Sequence, residues 1–187
     1  MNNTKLKILD VADDLVQHVG LNAMSYKHIS DVIGIRKASI HHHFPKKENL
    51  VEELLKRCDI SYGERYRIIV EGVGQPSEKL RNLAGVFKEG LISKKVCLVG
   101  SISTNSNTLH GKTQLILEST IKNTVDIFST VFEQGRDEKN LTFSGTSEDA
   151  GFAFFSFLVG AQTLARSQGG VQQFEHAAEV YISNFEI

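Results

Sequence analysis

The sequence has no tryptophan, two prolines and two cysteines among its 187 residues. Cys58 and Cys97 make no disulfide framework in a chain of this length, and no CxxC pair is present to suggest a zinc site or a dithiol redox motif. With only Pro45 and Pro76, the commonest interruption of a helix is scarce. Both prolines fall where helices are expected to begin, and there the missing N–H costs little. Long hydrophobic runs are lacking too. The longest, residues 150–161, is broken by Gly151, Ser156 and Gly160 and stops at Gln162, whereas a bilayer span needs about 18 or more apolar residues. The start, Met1 to Lys5, has no apolar core of a secretory signal. Neither sign of charge is in excess: Lys and Arg number 21, Asp and Glu 22, for a net charge of −1. A partner that needs a basic surface everywhere is disfavoured, while a local basic patch is not. Hydrophobic residues at 41% and charged residues at 23% exclude a disordered or collagen-like chain. These absences imply a soluble, reduced, cytoplasmic protein that makes no use of a membrane.

What is present is helical periodicity, and it predicts an all-α chain. Leu6, Leu9, Ala12, Leu15, Val16 and Val19 recur at spacings of three and four and make one apolar stripe over a helix from about Thr4 to Val19. Gly20 follows, in the place of a left-handed C-terminal cap. Ser25 is the next candidate N-cap, and Ile29, Val32 and Ile33 form the apolar side of a short helix ending at Gly34. A second short helix spans about Arg36 to His43, where Phe44-Pro45 breaks it. Longer helices are expected from about Lys46 to Val70, from Ser77 as cap to about Ser93, from about Leu109 to Gln134, from Glu148 to about Ser167 and from Val171 to about Phe185. Residues 101–108 read as a loop or broken helix, and Gly135 to Gly145 as a turn. The chain divides into a small N-terminal module, residues 4–62, and a larger helical domain, residues 63–187.

The informative stretch runs from Ser25 to Glu48. Two helices of about eight residues joined at Gly34 make the pattern of a helix-turn-helix. Lys27, Arg36, Lys37, Lys46 and Lys47 stand in it against a single acid before Glu48, Asp31, and His28, His41, His42 and His43 add donors. A chain neutral overall is therefore basic here, as phosphate binding requires. On the second helix Ile35, Ile40 and Phe44 can face inward while Arg36, Lys37, Ser39, His41 and His42 face outward, near the end from which recognition helices read bases. Ala38 is small enough for close approach to a duplex. Ser25, Tyr26 and Lys27 at the start of the preceding helix can meet a phosphate through free N–H groups and the helix dipole. Lys47, beyond the Pro break, is a second phosphate clamp in this reading.

Gly34, Ile35, Lys37, Ala38, Ser39, Ile40, His42, Phe44, Lys47 and Glu48 resemble, position by position, the N-terminal DNA-binding domain of TetR-family transcriptional repressors. The first helix, Gly20 and Ser25 extend the likeness over about residues 4–55. Arg36 departs from the Ser or Thr common at its place, and His41 replaces the usual Tyr. The resemblance implies a homodimer on a palindromic operator in double-stranded DNA, one recognition helix in each of two successive major grooves. It also implies a C-terminal domain that binds an effector and dimerises through its last two long helices.

In that domain Cys97-Leu98, the segment ending in Gly160-Ala161, and Ala165-Arg166 resemble the N-ethylmaleimide-sensing branch of the family. There the resemblance makes Cys97 a sensor of oxidants or electrophiles. Arg166 stands where a Lys is found; it cannot serve as a nucleophilic amine, because it stays protonated, but it could stabilise a thiolate. Phe87, Leu91, Phe128, Phe132, Phe155 and Gln162, with Cys97 and Arg166, are the candidate lining of an effector pocket, each with plain core packing as the competing reading. The three-His run is not expected to bind metal, since helical neighbours point about 100° apart. Gly-rich phosphate loops, HExxH and GxSxG are missing, so neither a cofactor nor catalysis is expected. A helical enzyme or small-molecule carrier is the alternative, but its two candidate bases, His110 and His176, lie far apart without a matching acid pair. A helical interaction module without DNA binding is a third reading, and the basic outward face of the Arg36 helix argues against it. The expected function is transcriptional regulation, by repression that an effector or modification of Cys97 relieves.

Overall fold

A computed structural model describes residues 3–187. Among them are nine α-helices: α1 (Asn3–Val19), α2 (Tyr26–Ile33), α3 (Lys37–His43), α4 (Lys47–Glu71), α5 (Pro76–Ile92), α6 (Leu98–Ser103), α7 (Gly111–Asp137), α8 (Ser147–Ser167) and α9 (Gly170–Ser183). A single 3₁₀ turn, Ser106–Thr108, precedes α7, and the described residues contain no strand beyond an isolated bridge between Leu141 and Glu186. The chain is all-α, as its periodicity requires. The described residues form two compact units, one made of those through Cys58 together with Leu98–Thr120, the other of Asp59–Cys97 and Ile121–Ile187.

In the first unit α1 packs on α2 and on α6, and α2 packs on α3. Its core holds Ile8, Leu9, Ala12 and Val16 from α1, Ile29 from α2, Ile40 from α3 and Leu50, Val51, Leu54 and Leu55 from α4, with Phe44 between α3 and α4. Each large apolar side chain buried this way contributes about 1.5–3 kcal/mol. Asp10 of α1 pairs with Arg57 of α4, and Lys5 of α1 reaches Glu53 of α4 at 3.0 Å. Residues 101–108, expected as a loop or broken helix, hold the end of α6 and the 3₁₀ turn, with Thr104 and Asn105 between them. Ser101 Oγ, on α6, donates to the Val16 carbonyl at 2.9 Å, near the C-terminal end of α1.

In the second unit α5 packs on α8 and α9, and α8 packs on α9. Two details correct the sequence reading. The N-cap of α5 is Gln75, not Ser77: Pro76 occupies the first helical turn, where its fixed φ suits the helix, and Gln75 N–H donates to the Glu78 carboxylate. Gly135 does not begin a turn but lies inside α7, which continues to Asp137. The Leu141 side chain lies in the space a Cβ on Gly135 would occupy, so this glycine serves packing. Lys79 is buried, with its ammonium donating to the Val70 carbonyl at 2.7 Å and to Gln134 Oε1 at 3.0 Å. It thereby closes the C-terminal turn of α4, the end of a helix where a cation is favoured.

Candidate nucleic-acid interface

The α2–turn–α3 pair begins with a cap. Ser25 is extended and its Oγ accepts the His28 N–H at 3.3 Å. Gly34 ends α2 at φ 76°, a left-handed conformation in which a Cβ would be strained, and its N–H returns to the Ser30 carbonyl. Ser30 Oγ then donates to the Ile35 carbonyl at 2.6 Å. That bond pins the three-residue link to α3, a contribution that the sequence alone does not assign. The signal was a polar residue at the last turn of a helix whose apolar face is otherwise continuous.

On α3 the two sides differ. Ile40 is buried and so is Phe44 directly after the helix. Arg36, Lys37, Ala38, Ser39, His41 and His42 are all exposed. Ile35 and His43 are intermediate. His42 and His43 meet edge to face with ring centroids 5.4 Å apart, and His41 meets Tyr26 edge to face at 4.8 Å. The three imidazoles do not converge. Among the described residues no group of three or more His, Cys, Asp or Glu could hold a metal ion.

Three of the proposed contact residues are already engaged within the chain. The Tyr26 hydroxyl donates to the Phe44 carbonyl at 2.8 Å, and burial pushes its pKa up to about 12. Lys47, half-buried, donates to the Leu21 carbonyl at 2.6 Å, and burial lowers its pKa. Lys27 pairs with Asp31 one turn along α2 at 2.7 Å. Asp31 is held below the usual carboxylate range, first by that hydrogen bond and then by the charges of Lys27, His28 and Lys37. Tyr26 therefore ties the start of α2 to the end of α3, Lys47 ties the start of α4 to the turn after α1, and Arg36, Lys37, Ser39, His41 and His42 are exposed. His28 and Lys46 are exposed on the same motif. Their signal in the sequence was only their place, beside a cap and beside a Pro break.

The candidate effector residues fall in the second unit. Phe87, Phe128 and Phe155 form one aromatic group with Tyr66, with Phe128 edge-on to Phe155 at 5.8 Å and to Tyr66 at 5.1 Å. Phe132 is edge-on to Phe143, Phe154 and Phe185, and does not ring-stack with Phe87 or Phe155. Leu91 is buried. Gln162, 2% exposed, is a bridge: its Nε2 donates to the Phe87 carbonyl at 2.7 Å and its Oε1 accepts the Cys97 N–H at 2.6 Å. Cys97 is partly exposed, and Arg166, one turn beyond Gln162 on α8, is exposed.

Residues 8–54 match the family model described as bacterial regulatory proteins, tetR family. The chain is 35% identical over 83 residues to the HTH-type transcriptional repressor KstR2 of Mycobacterium tuberculosis, a match covering 44% of this chain and 42% of that protein's own length. It is 21% identical over 182 residues to the HTH-type transcriptional repressor NemR of Escherichia coli K12, covering 94% of this chain and 90% of NemR. Among solved structures, a TetR-family transcriptional regulator from Agrobacterium tumefaciens superposes with a TM-score of 0.90 at 26% identity, over 98% of this chain and 97% of the other. The reduced form of Escherichia coli NemR superposes with a TM-score of 0.81 at 20% identity, over 99% and 98%.

Proposed function

We propose that this chain, whose residues 8–54 match the family model described as bacterial regulatory proteins, tetR family, is a sequence-specific DNA-binding repressor of transcription. The observation that carries the reading is α3. Ile40 and Phe44 hold it from behind, and Arg36, Lys37, Ser39, His41 and His42 are exposed in front. Arg and Lys side chains on such a helix can read guanine edges in a major groove, while Ser25, Lys27 and Lys47 set its register on phosphates and Tyr26 steadies it. Ala38 leaves room for the duplex. In this reading residues 4–62 bind DNA and residues 63–187 bind the effector and dimerise.

The outward face of α8 supports the homodimer. Phe152 is 55% exposed and Leu164 73% exposed. They share a helical face with the small residues Ala153, Ser156, Gly160 and Ser167, and Val180 is exposed on α9. Water-exposed apolar and small side chains on one stripe suit a close helix-on-helix contact with a second copy. A dimer would present two α3 helices to half-sites about 34–36 Å apart or a multiple of it.

Release would follow from a small molecule held near Phe87, Phe128 and Phe155, or from oxidation or alkylation of Cys97 by an electrophile, with Arg166 stabilising its thiolate. Either can act only by favouring the form of the dimer that fits the operator badly. The described residues contain no helix long and apolar enough to cross a membrane, which suits work on DNA in the cytoplasm. The test is fluorescence anisotropy with duplexes tiled across the promoter region beside the chain's own gene. Tight binding to one of them, competed poorly by random DNA, is expected, and equal affinity for all would overturn the reading.

A further inference from the structure

His28 of α2 and His41 and His42 of α3 are exposed on the surface of the helix-turn-helix motif, as are Arg36, Lys37 and Lys46. We infer that this face takes up protons as it binds DNA, through His28, His41 and His42, so that acidification tightens its grip on the duplex. The inference rests on the DNA-binding reading above.

Imidazole is the side chain whose ordinary titration lies between about pH 5 and 8. A neutral imidazole donates one hydrogen bond and accepts another, whereas an imidazolium adds a cation; the permanent cations exposed on the motif are Lys27, Arg36, Lys37 and Lys46. The chain as a whole carries a net charge of −1, and Lys27 is engaged by Asp31 at 2.7 Å. The added charges are therefore large in proportion to those already there.

The surroundings of the three rings contain little that would cancel them. From α2, Tyr26 presents its ring edge to His41 at 4.8 Å, and Lys27 and Asp31 flank His28 in sequence. The Tyr26 hydroxyl is committed to the Phe44 carbonyl and stays protonated through this range. From α1, Lys5 lies over the Phe44 ring at 5.6 Å and is paired with Glu53. Lys46 precedes α4, which contributes Lys47, bound to the Leu21 carbonyl, and the exposed Glu48. From α3 itself come Arg36 before the helix, Lys37 and the half-buried His43, whose ring meets His42. The acids here are Asp31, engaged by Lys27, Glu48 at the edge, and Glu53, held by Lys56 and Lys5.

A phosphate brought into contact favours the imidazolium over the neutral ring. Linkage then fixes the sign: if DNA raises the pKa of a bound group, lowering the pH through that range must raise the affinity for DNA. One unit of such a rise in a single imidazole corresponds to about tenfold in affinity.

The experiment uses the full chain and a fluorescein-labelled random-sequence duplex of about 30 base pairs, so that the phosphate contribution is read without knowing the operator. Affinity is measured at constant ionic strength at about pH 8 and about pH 6, a span bracketing imidazole titration. We expect the dissociation constant to fall by about tenfold or more across that span. Calorimetry in buffers of different ionisation enthalpy should find net proton uptake on binding at about pH 6.5. In a His28→Gln, His41→Gln, His42→Gln variant the ratio of the two affinities should fall to within about twofold of unity, whatever the absolute affinity. Lys46→Gln should weaken binding at both pH values and keep the wild-type ratio. Binding without pH dependence or proton uptake overturns the inference and leaves the DNA-binding reading standing. A pH dependence that survives in the triple variant also overturns it, by placing the proton on another group such as His18, His110 or His176. No binding at either pH overturns both.

Discussion

The Tyr26 hydroxyl donates a hydrogen bond to the Phe44 carbonyl at 2.8 Å, tying the first residue of α2 to the residue that ends α3. The same ring meets His41 edge to face. Its hydroxyl is committed to the backbone, which leaves the N–H groups at the start of α2 as the expected phosphate donors there. Tyr26→Phe keeps the ring and removes only the bond. It should lower stability by about 1 kcal/mol, seen as a lower urea midpoint, with a modest loss of DNA affinity. An unchanged midpoint would show that the bond contributes nothing to holding α3.

Lys47 and Lys37 should separate in their effects. Lys47→Ala should weaken binding to all duplexes alike and flatten the salt dependence by about one phosphate contact. It should also destabilise the first unit, because the Leu21 carbonyl loses its charged donor. Lys37→Ala and Ser39→Ala should instead change the preferred base in a selection from random duplexes. Equal losses on cognate and random DNA for these two would mean that another face reads the bases.

Acid should loosen the tie between α1 and α4. The Glu53 carboxyl is held below its ordinary value of 4.5 by hydrogen bonds from Lys56 and Lys5. A carboxylate with a lower pKa folded than unfolded contributes stability that is fully present above 4.5 and disappears as pH falls through the folded value. Urea midpoints should therefore decline below that range, and the decline should be shallower in Glu53→Gln. Glu179 and Glu186, lowered by Arg81, add declines of their own, so the comparison with Glu53→Gln is what isolates this pair. Parallel curves would assign the acid sensitivity to those other carboxylates.

Gln162→Leu removes two bonds at once. The Phe87 carbonyl and the Cys97 N–H both lose their bond to its side chain, which should cost about 1–3 kcal/mol and lower the melting temperature by roughly 2–12 °C. Hydrogen exchange at the Cys97 amide should accelerate at the same time. A stable variant with unchanged exchange would mean that the connector before α6 is held by other contacts.

Leu164→Arg places a cation on the exposed stripe of α8. Sedimentation velocity at micromolar concentration should show the wild type as a dimer and the variant as a monomer, with weakened binding to two-half-site DNA. A variant that remains dimeric would move the contact to another surface.

The sequence by itself determined the helices and the front of α3. Apolar spacing of three and four, a Ser cap, a left-handed Gly34 and a Pro break are local signals, each set by backbone sterics within a few residues. They located α1 to α4 to within a residue or two, and they separated the exposed Lys37 and Ser39 from the buried Ile40. Partners distant in sequence were left to the tertiary structure. Nothing near Tyr26 in the chain indicates that its hydroxyl will meet residue 44, nor near Lys47 that it will reach residue 21. Nothing near Lys79 in the chain shows that it will meet Gln134, nor near Gln162 that it will bridge Phe87 and Cys97. A hydrogen bond is decided by where two backbone segments come to lie, and that depends on how whole helices pack, which short-range spacing does not specify.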